Sequence, residues 1–158
     1  MNRRKIILSL ALAALGASAC FSGTTRAIAE SAPVAIRVLD PLHVSATLTY
    51  DSQLKVTFIS VIDDSRCPIN AKTKCTSPGD AEVVLRIKVG TKKAKTYYLH
   101  TKTFPKQLEI PADPTKTGTT GIPKSYVIDI ATLNPQPYAG KTTKQSDYQL
   151  RLHLAEVL

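Results

Sequence analysis

Ala81-Glu82-Val83-Val84-Leu85-Arg86-Ile87-Lys88-Val89 is the stretch on which the fold turns. Val83, Leu85, Ile87 and Val89 alternate with Glu82, Arg86 and Lys88, and only Val84 falls out of step. Successive side chains of an extended chain point to opposite faces, so this order puts branched apolar groups on a core and charged ones in water. The same period of two recurs in both directions. Upstream, Leu54, Val56 and Phe58 alternate with Lys55 and Thr57, and Val44, Ala46, Leu48 and Tyr50 alternate with Ser45, Thr47 and Thr49. Downstream, Tyr126, Ile128 and Ile130 face away from Asp129, and Leu150, Leu152 and Leu154 face away from Arg151 and His153. Turn-forming residues separate these runs at Tyr50-Asp51-Ser52, Pro78-Gly79-Asp80, Gly90-Thr91, 111–123 and 134–140. Short alternating strands joined by Pro- and Gly-bearing connections predict an all-β fold: a single β-sandwich of seven to eight mostly antiparallel strands over residues 33–158.

The N-terminus follows different rules. Arg3, Arg4 and Lys5 precede an apolar run from Ile6 to Leu15, and Gly16-Ala17-Ser18-Ala19-Cys20 follows it. A basic start, a short apolar stretch and small residues before a cut predict a secretory signal peptide over residues 1–19. Ten residues are too few to cross the roughly 30 Å hydrocarbon core as a helix. Ala17-Ser18-Ala19-Cys20 resembles a lipobox with Ala in place of its usual Leu, and it also suits an ordinary A-x-A cleavage site. Cys67 and Cys75 lie close enough in sequence to pair, which leaves Cys20 alone; lipidation would consume that odd thiol. Cys20 is therefore expected to carry lipid, with soluble export as the alternative. Residues 20–32 are small, polar and weakly patterned, and read as a flexible tether.

Removing residues 1–19 leaves 139 residues carrying 18 basic and 12 acidic side chains, a net charge of +6. A basic exported domain favours anionic surfaces such as membrane head groups or cell-wall polymers, whereas nucleic acid is not an expected partner.

The densest chemistry is Asp63-Asp64-Ser65-Arg66-Cys67-Pro68, followed by Cys75 and Gly79-Asp80-Ala81. In an oxidising compartment Cys67 and Cys75 are expected to form a disulfide clamping the loop between the strands around Leu54–Ile62 and Ala81–Val89. Zinc is disfavoured, since seven residues separate the pair and no second pair exists. Asp63 and Asp64 are adjacent and so point opposite ways on an extended chain; a calcium site would need more oxygen ligands than the segment offers. The simpler expectation has Asp64 bonding loop amides or pairing with Arg66, and Asp63 solvated.

These residues resemble a family of short exported bacterial proteins, many of them of lipoprotein type, marked by D-S-R-C-P, a second cysteine and a G-x-A opening the next strand. Asp64-Ser65-Arg66-Cys67-Pro68, Cys75 and Gly79-Asp80-Ala81 carry the pattern. Phe58, Val61, Leu99 in a central strand, Tyr126, Leu133-Asn134-Pro135 and Asp147-Tyr148 extend it. The stretch between the cysteines is about two residues longer than the family's, and the Trp that usually follows the second cysteine is absent. The family's function is unknown, so the resemblance implies export, the disulfide and an all-β fold but no activity.

No active site assembles from the remaining polar residues. His43, His100 and His153 share no metal-binding spacing and read as solvated. Ser65 has no neighbouring base and no G-x-S-x-G elbow. Tyr97 and Tyr98 beside Lys95 and Lys102 suit sheet packing better than a ligand surface. The expected function is non-enzymatic and needs no cofactor or metal. The chain is read as a lipid-anchored envelope accessory or binding protein that meets an envelope component or protein partner through loops 63–81 and 111–124, with Asp63, Asp64 and Arg66 in the first. The alternative is a secreted or periplasmic inhibitor that presents a disulfide-rigidified loop to an enzyme; a hydrolase with a dispersed site ranks third.

Overall fold

A computed structural model describes residues 36–70, 72, 74–111 and 125–157. The expected signal peptide, Cys20 and the 20–32 tether lie outside the described residues, as do residues 112–124. The described chain forms nine strands: β1 (Ile36–Val38), β2 (Leu42–His43), β3 (Thr47–Tyr50), β4 (Leu54–Asp64), β5 (Ala81–Val89), β6 (Lys95–His100), β7 (Gln107–Ile110), β8 (Ser125–Asn134) and β9 (Gln149–Val157). They build two sheets, β3-β4-β5-β6 and β1-β9-β8-β7 with β2 also on β9, and every strand pair is antiparallel. This is the all-β, sandwich-like architecture that the alternation implies.

Nine strands stand where seven to eight were expected, because the edge of the second sheet is broken. Asp40-Pro41 interrupts what would be one strand, since proline has no N–H for the ladder. The Leu39 amide still donates to the Leu152 carbonyl at 2.8 Å, so β1 and β2 follow one another along β9. The alternation from Val44 does not mark a strand start. The chain changes sheets there, with Ser45 at a φ of 71° and donating to the Phe58 carbonyl, and β3 begins only at Thr47. At the β3–β4 turn, Asp51 and Ser52 both take positive φ (46° and 51°), the type I′ geometry that matches strand twist. Leu99 lies on β6, an edge strand of its sheet rather than a central one, yet it is fully buried.

The core contains the side chains that the alternation selects. Leu54, Val56, Phe58, Val83, Leu85, Ile128, Leu150, Leu152 and Leu154 are all fully buried. Each such aliphatic or aromatic side chain contributes roughly 1.5–3 kcal/mol relative to exposure. Val84 is buried on the other face of β5, which accounts for its lapse in the pattern.

Two irregularities in β4 set which of its side chains face the core. The partners Leu85, Val84, Val83, Glu82 and Ala81 meet Phe58, Ser60, Val61, Asp63 and Asp64, so Ile59 and Ile62 are extra residues in bulges. Val61 thereby returns to the core, Ile62 stands out at 59% exposure, and Asp64 shares the inward face with buried Ala81. Strand polarity then gathers the β4–β5, β6–β7 and β8–β9 connections at one end of the sandwich. The β3–β4 and β5–β6 turns, and the ends of β7 and β9, lie at the other. Tyr50 bridges the sheets at this second end through its hydroxyl to Glu156 (2.8 Å) and an edge-on contact with Tyr126.

Candidate functional site

The loop between β4 and β5, residues 65–80, is closed by the Cys67–Cys75 disulfide. Closing a loop of about nine residues removes unfolded-chain entropy equivalent to about 2.5 kcal/mol. The chain is pinned further at both of its ends. On the outgoing side the Asp64 carboxylate takes a two-pronged grip from Arg66, Nε to Oδ1 and Nη2 to Oδ2, each at 2.7 Å. The same guanidinium donates to the Leu133 carbonyl and, at 2.7 Å, to the Pro135 carbonyl. Tyr148 closes the set by donating its hydroxyl to Asp64 Oδ2 at 2.9 Å. Burial, then the Asp64 hydrogen bond and charge, push the Tyr148 phenol up. One short stretch of β4 is thus tied to the end of β8 and the start of β9 on the opposite sheet.

Backbone contacts continue this seam into the loop. Ile69 and Tyr138 form a parallel bridge, with the Ile69 amide on the Pro137 carbonyl at 2.7 Å, and Gln136 donates its amide to the Cys67 carbonyl at 2.8 Å. The Gln145 side chain, in a 3-10 turn before β9, accepts from the Val61 amide and donates to the Val61 carbonyl, acting as one rung of an added strand. Asn70 donates to the Tyr138 hydroxyl at 2.8 Å, and Lys141 stacks its ammonium over the Tyr138 ring at 4.9 Å.

On the incoming side Asp80 is the hub. Its carboxylate receives the Thr101 hydroxyl (2.8 Å), the Lys102 amide (2.7 Å), the Thr103 hydroxyl and His100 Nδ1 (2.9 Å). Burial pushes this carboxyl up, but hydrogen bonds from Thr103, Thr101, the Lys102 amide and His100 outweigh it and hold the group well below the usual carboxylate range. The β6–β7 loop is thereby wrapped around the end of loop 65–80. Ser65 and Asp80 meet across the neck of the loop, Ser65 donating its amide to the Asp80 carbonyl at 2.7 Å. Gly79 lets the two strands come this close: it has a φ of +67°, and a Cβ there would lie 1.8 Å from the Ser65 carbonyl oxygen.

Asp64 and Arg66 are therefore brought together, while Asp63 is exposed on the outer face opposite Glu82. The Asp64 oxygens are occupied by Arg66 and Tyr148, and among the described residues no group of three His, Cys, Asp or Glu side chains could hold a metal ion. His100 and His153 are not simply solvated: each bonds a carboxylate, Asp80 and Asp129 respectively. Loop 65–80 sits at one end of the sandwich, whereas β7 ends at Ile110 and β8 begins at Ser125 at the other; of the second expected contact loop, residues 112–124 lie outside the described residues. The Asp80 cluster had one signal in sequence, the Gly79-Asp80-Ala81 triplet. Its donors come from 20 or more residues away.

The surface this creates is firm and partly apolar. Ile69, Phe104 and Tyr138, at 51, 91 and 42% exposure, stand one on each of the three connections gathered at this end, and Ile62, at 59%, stands near the end of β4. Beside them a shallow cleft of about 270 Å³ is lined by Val61, Ile62, Tyr148 and Lys141 together with Gln145 and Asp64, whose polar groups are already hydrogen-bonded within the fold. The arrangement suits contact with a macromolecule more than turnover of a small substrate. No helix among the described residues is long and apolar enough to cross a membrane. No protein-family model, curated protein or solved structure matches the chain.

Proposed function

We propose that this is an exported, non-enzymatic protein that inhibits an enzyme by presenting loop 65–80 to it as a rigid surface. One observation carries the reading: a disulfide-closed loop fixed at one end by Asp64–Arg66–Tyr148 and at the other by the Asp80 cluster, with apolar side chains exposed around it. Association costs ordering entropy, and a loop held in shape before contact avoids much of it. Exposed aromatic and aliphatic groups on a firm base are the material of interface anchors. The disulfide supports export, since such bonds persist in oxidising compartments. Acylation of Cys20 would tether the inhibitor at the membrane surface where envelope enzymes work.

The test is inhibition of a panel of serine, cysteine and metallo-proteases and cell-wall hydrolases by the oxidised protein and by Cys67→Ser/Cys75→Ser. The reading predicts that one enzyme class is inhibited by the oxidised protein and much less by the cysteine-free variant. Equal inhibition by both, or none across the panel, counts against it.

A further inference from the structure

The outer face of the four-stranded sheet has a separate use. Its register sets Thr47, Thr57, Arg86 and Thr96 in one row across β3-β4-β5-β6, and Thr49, Lys55 and Lys88 in the next. Their in-between neighbours Leu54, Val56, Leu85 and Ile87 fill the core, so these side chains all point outward. Lys55, Arg86 and Lys88 are exposed, and none of the three forms an ion pair among the described residues.

Lys55 and Lys88 are direct cross-strand partners. Like charges so placed destabilise a sheet, and the neighbouring row adds a third cation instead of relieving them. Neither row contains a carboxylate. The acids of this face, Asp63 and Glu82, are paired farther along, toward the loop end. Everything else in the two rows is threonine, whose hydroxyls donate hydrogen bonds from a short side chain; Thr47 and Thr57 already touch at 2.7 Å.

We infer that this face binds one class of ligand, a linear polyanion with closely spaced phosphate or carboxylate groups, laid along the strands. Strands lie about 4.8 Å apart, so one anionic group bridges Lys55 and Lys88; Arg86, two residues on, sits about 6.8 Å farther to take the next. Bound anions remove the repulsion between the lysines, and the threonines bond the intervening oxygens. Neither row has an apolar side chain to wedge into lipid, which favours a solvated polymer over a membrane surface. This site is independent of loop 65–80 and of the inhibitor reading.

Binding of the purified protein to inorganic polyphosphate and to polygalacturonate tests it, with vesicles of phosphatidylglycerol at the same anion concentration as comparison. The expected result is binding to at least one polymer that weakens steeply with salt, as counterion release requires. Lys55→Thr/Lys88→Thr should lose about tenfold or more in affinity at a melting temperature equal to or above the parent's, because the like-charge pair is gone, while Lys92→Thr/Lys93→Thr on the β5–β6 turn loses no more than about twofold, since only the former pair lies in the anion's path. Polymer preference supports a phosphate chain or a carboxylate chain as the source. Three results overturn the proposal: undiminished binding by the Lys55/Lys88 variant, equal loss in the turn variant, or tighter binding to vesicles than to either polymer.

Discussion

Replacing Arg66 by alanine removes one side chain and unpicks a junction between the two sheets. The guanidinium makes two bonds to Asp64 and one each to the Leu133 and Pro135 carbonyls, with only 14% of the Arg66 side chain and 8% of the Asp64 side chain exposed. Alanine leaves a carboxylate in a nearly dry site, with the Tyr148 hydroxyl as its remaining side-chain donor. Breaking such a pair from one side costs about 3–5 kcal/mol, and the partial access of water at Arg66 places this case near the low end, about 3–4 kcal/mol. With an unfolding entropy of about 2.1 cal/mol/K per residue, a domain of roughly 120 residues loses about 4 °C per kcal/mol, so Tm should fall by about 12–16 °C. Differential scanning calorimetry on oxidised protein, with denaturant titration as a check, reads the change. Arg66→Lys keeps the charge but not the planar fork and should recover no more than about half of the loss. Asp64→Ala/Arg66→Ala should be less destabilised than the sum of the single variants, because the stranded charge is gone. A Tm for Arg66→Ala within about 2 °C of the parent protein would refute the reasoning, since a largely covered guanidinium with four hydrogen bonds does not allow so small a change.

Other outcomes rest on the same geometry. Gly79→Ala should fail to accumulate as folded protein, or should melt far below the parent, because its Cβ would sit 1.8 Å from a backbone oxygen at a φ of +67°; yield and circular dichroism check this. Cys67→Ser/Cys75→Ser should lose about 2.5 kcal/mol in urea unfolding with an intact far-ultraviolet spectrum, since the loop is also bonded at its ends. Asp80 has its folded pKa depressed, so its contribution is fully present above the unfolded carboxylate value near 3.9 and is lost as pH falls below it. Asp80→Asn should therefore be less stable at pH 7 but show a shallower fall in Tm from pH 5 to pH 2. Tyr148→Phe should cost about 1.5–2 kcal/mol, the range for a hydrogen bond to a charged partner, by the same calorimetry.

The sandwich was legible where alternation ran long: β4, β5, β8 and β9 present their buried residues at every second position, apart from the bulges and from Val84, which is buried on the other face of β5. It was illegible where strands were short. Gln107-Leu108-Glu109-Ile110 is a strand of only four residues hemmed in by Pro105 and Pro111, and Asp40-Pro41 splits an edge into pieces of three and two. The bulges at Ile59 and Ile62 show in the sequence only as doubled apolar residues, Phe58-Ile59 and Val61-Ile62, which do not say which member faces the core, yet they throw Ile62 onto the surface. The Asp64–Arg66 pair was within reach because the partners are two residues apart. Asp80 was not, because its worth depends on which residues β6 and β7 bring to it, and that is a property of the completed topology. Which connections gather at the end that carries loop 65–80 likewise depends on strand count and polarity, which composition does not encode.

The most direct test of the proposed function uses whichever enzyme the panel identifies. Its inhibition would be titrated with the parent protein, with Ile69→Ser, Phe104→Ala and Tyr138→Ala, and with Lys55→Thr/Lys88→Thr. Loop-end variants that melt like the parent but inhibit at least about tenfold less well, with the lysine variant unaffected, would place the contact on the rigid loop end. Full inhibition by all three loop-end variants would contradict the account.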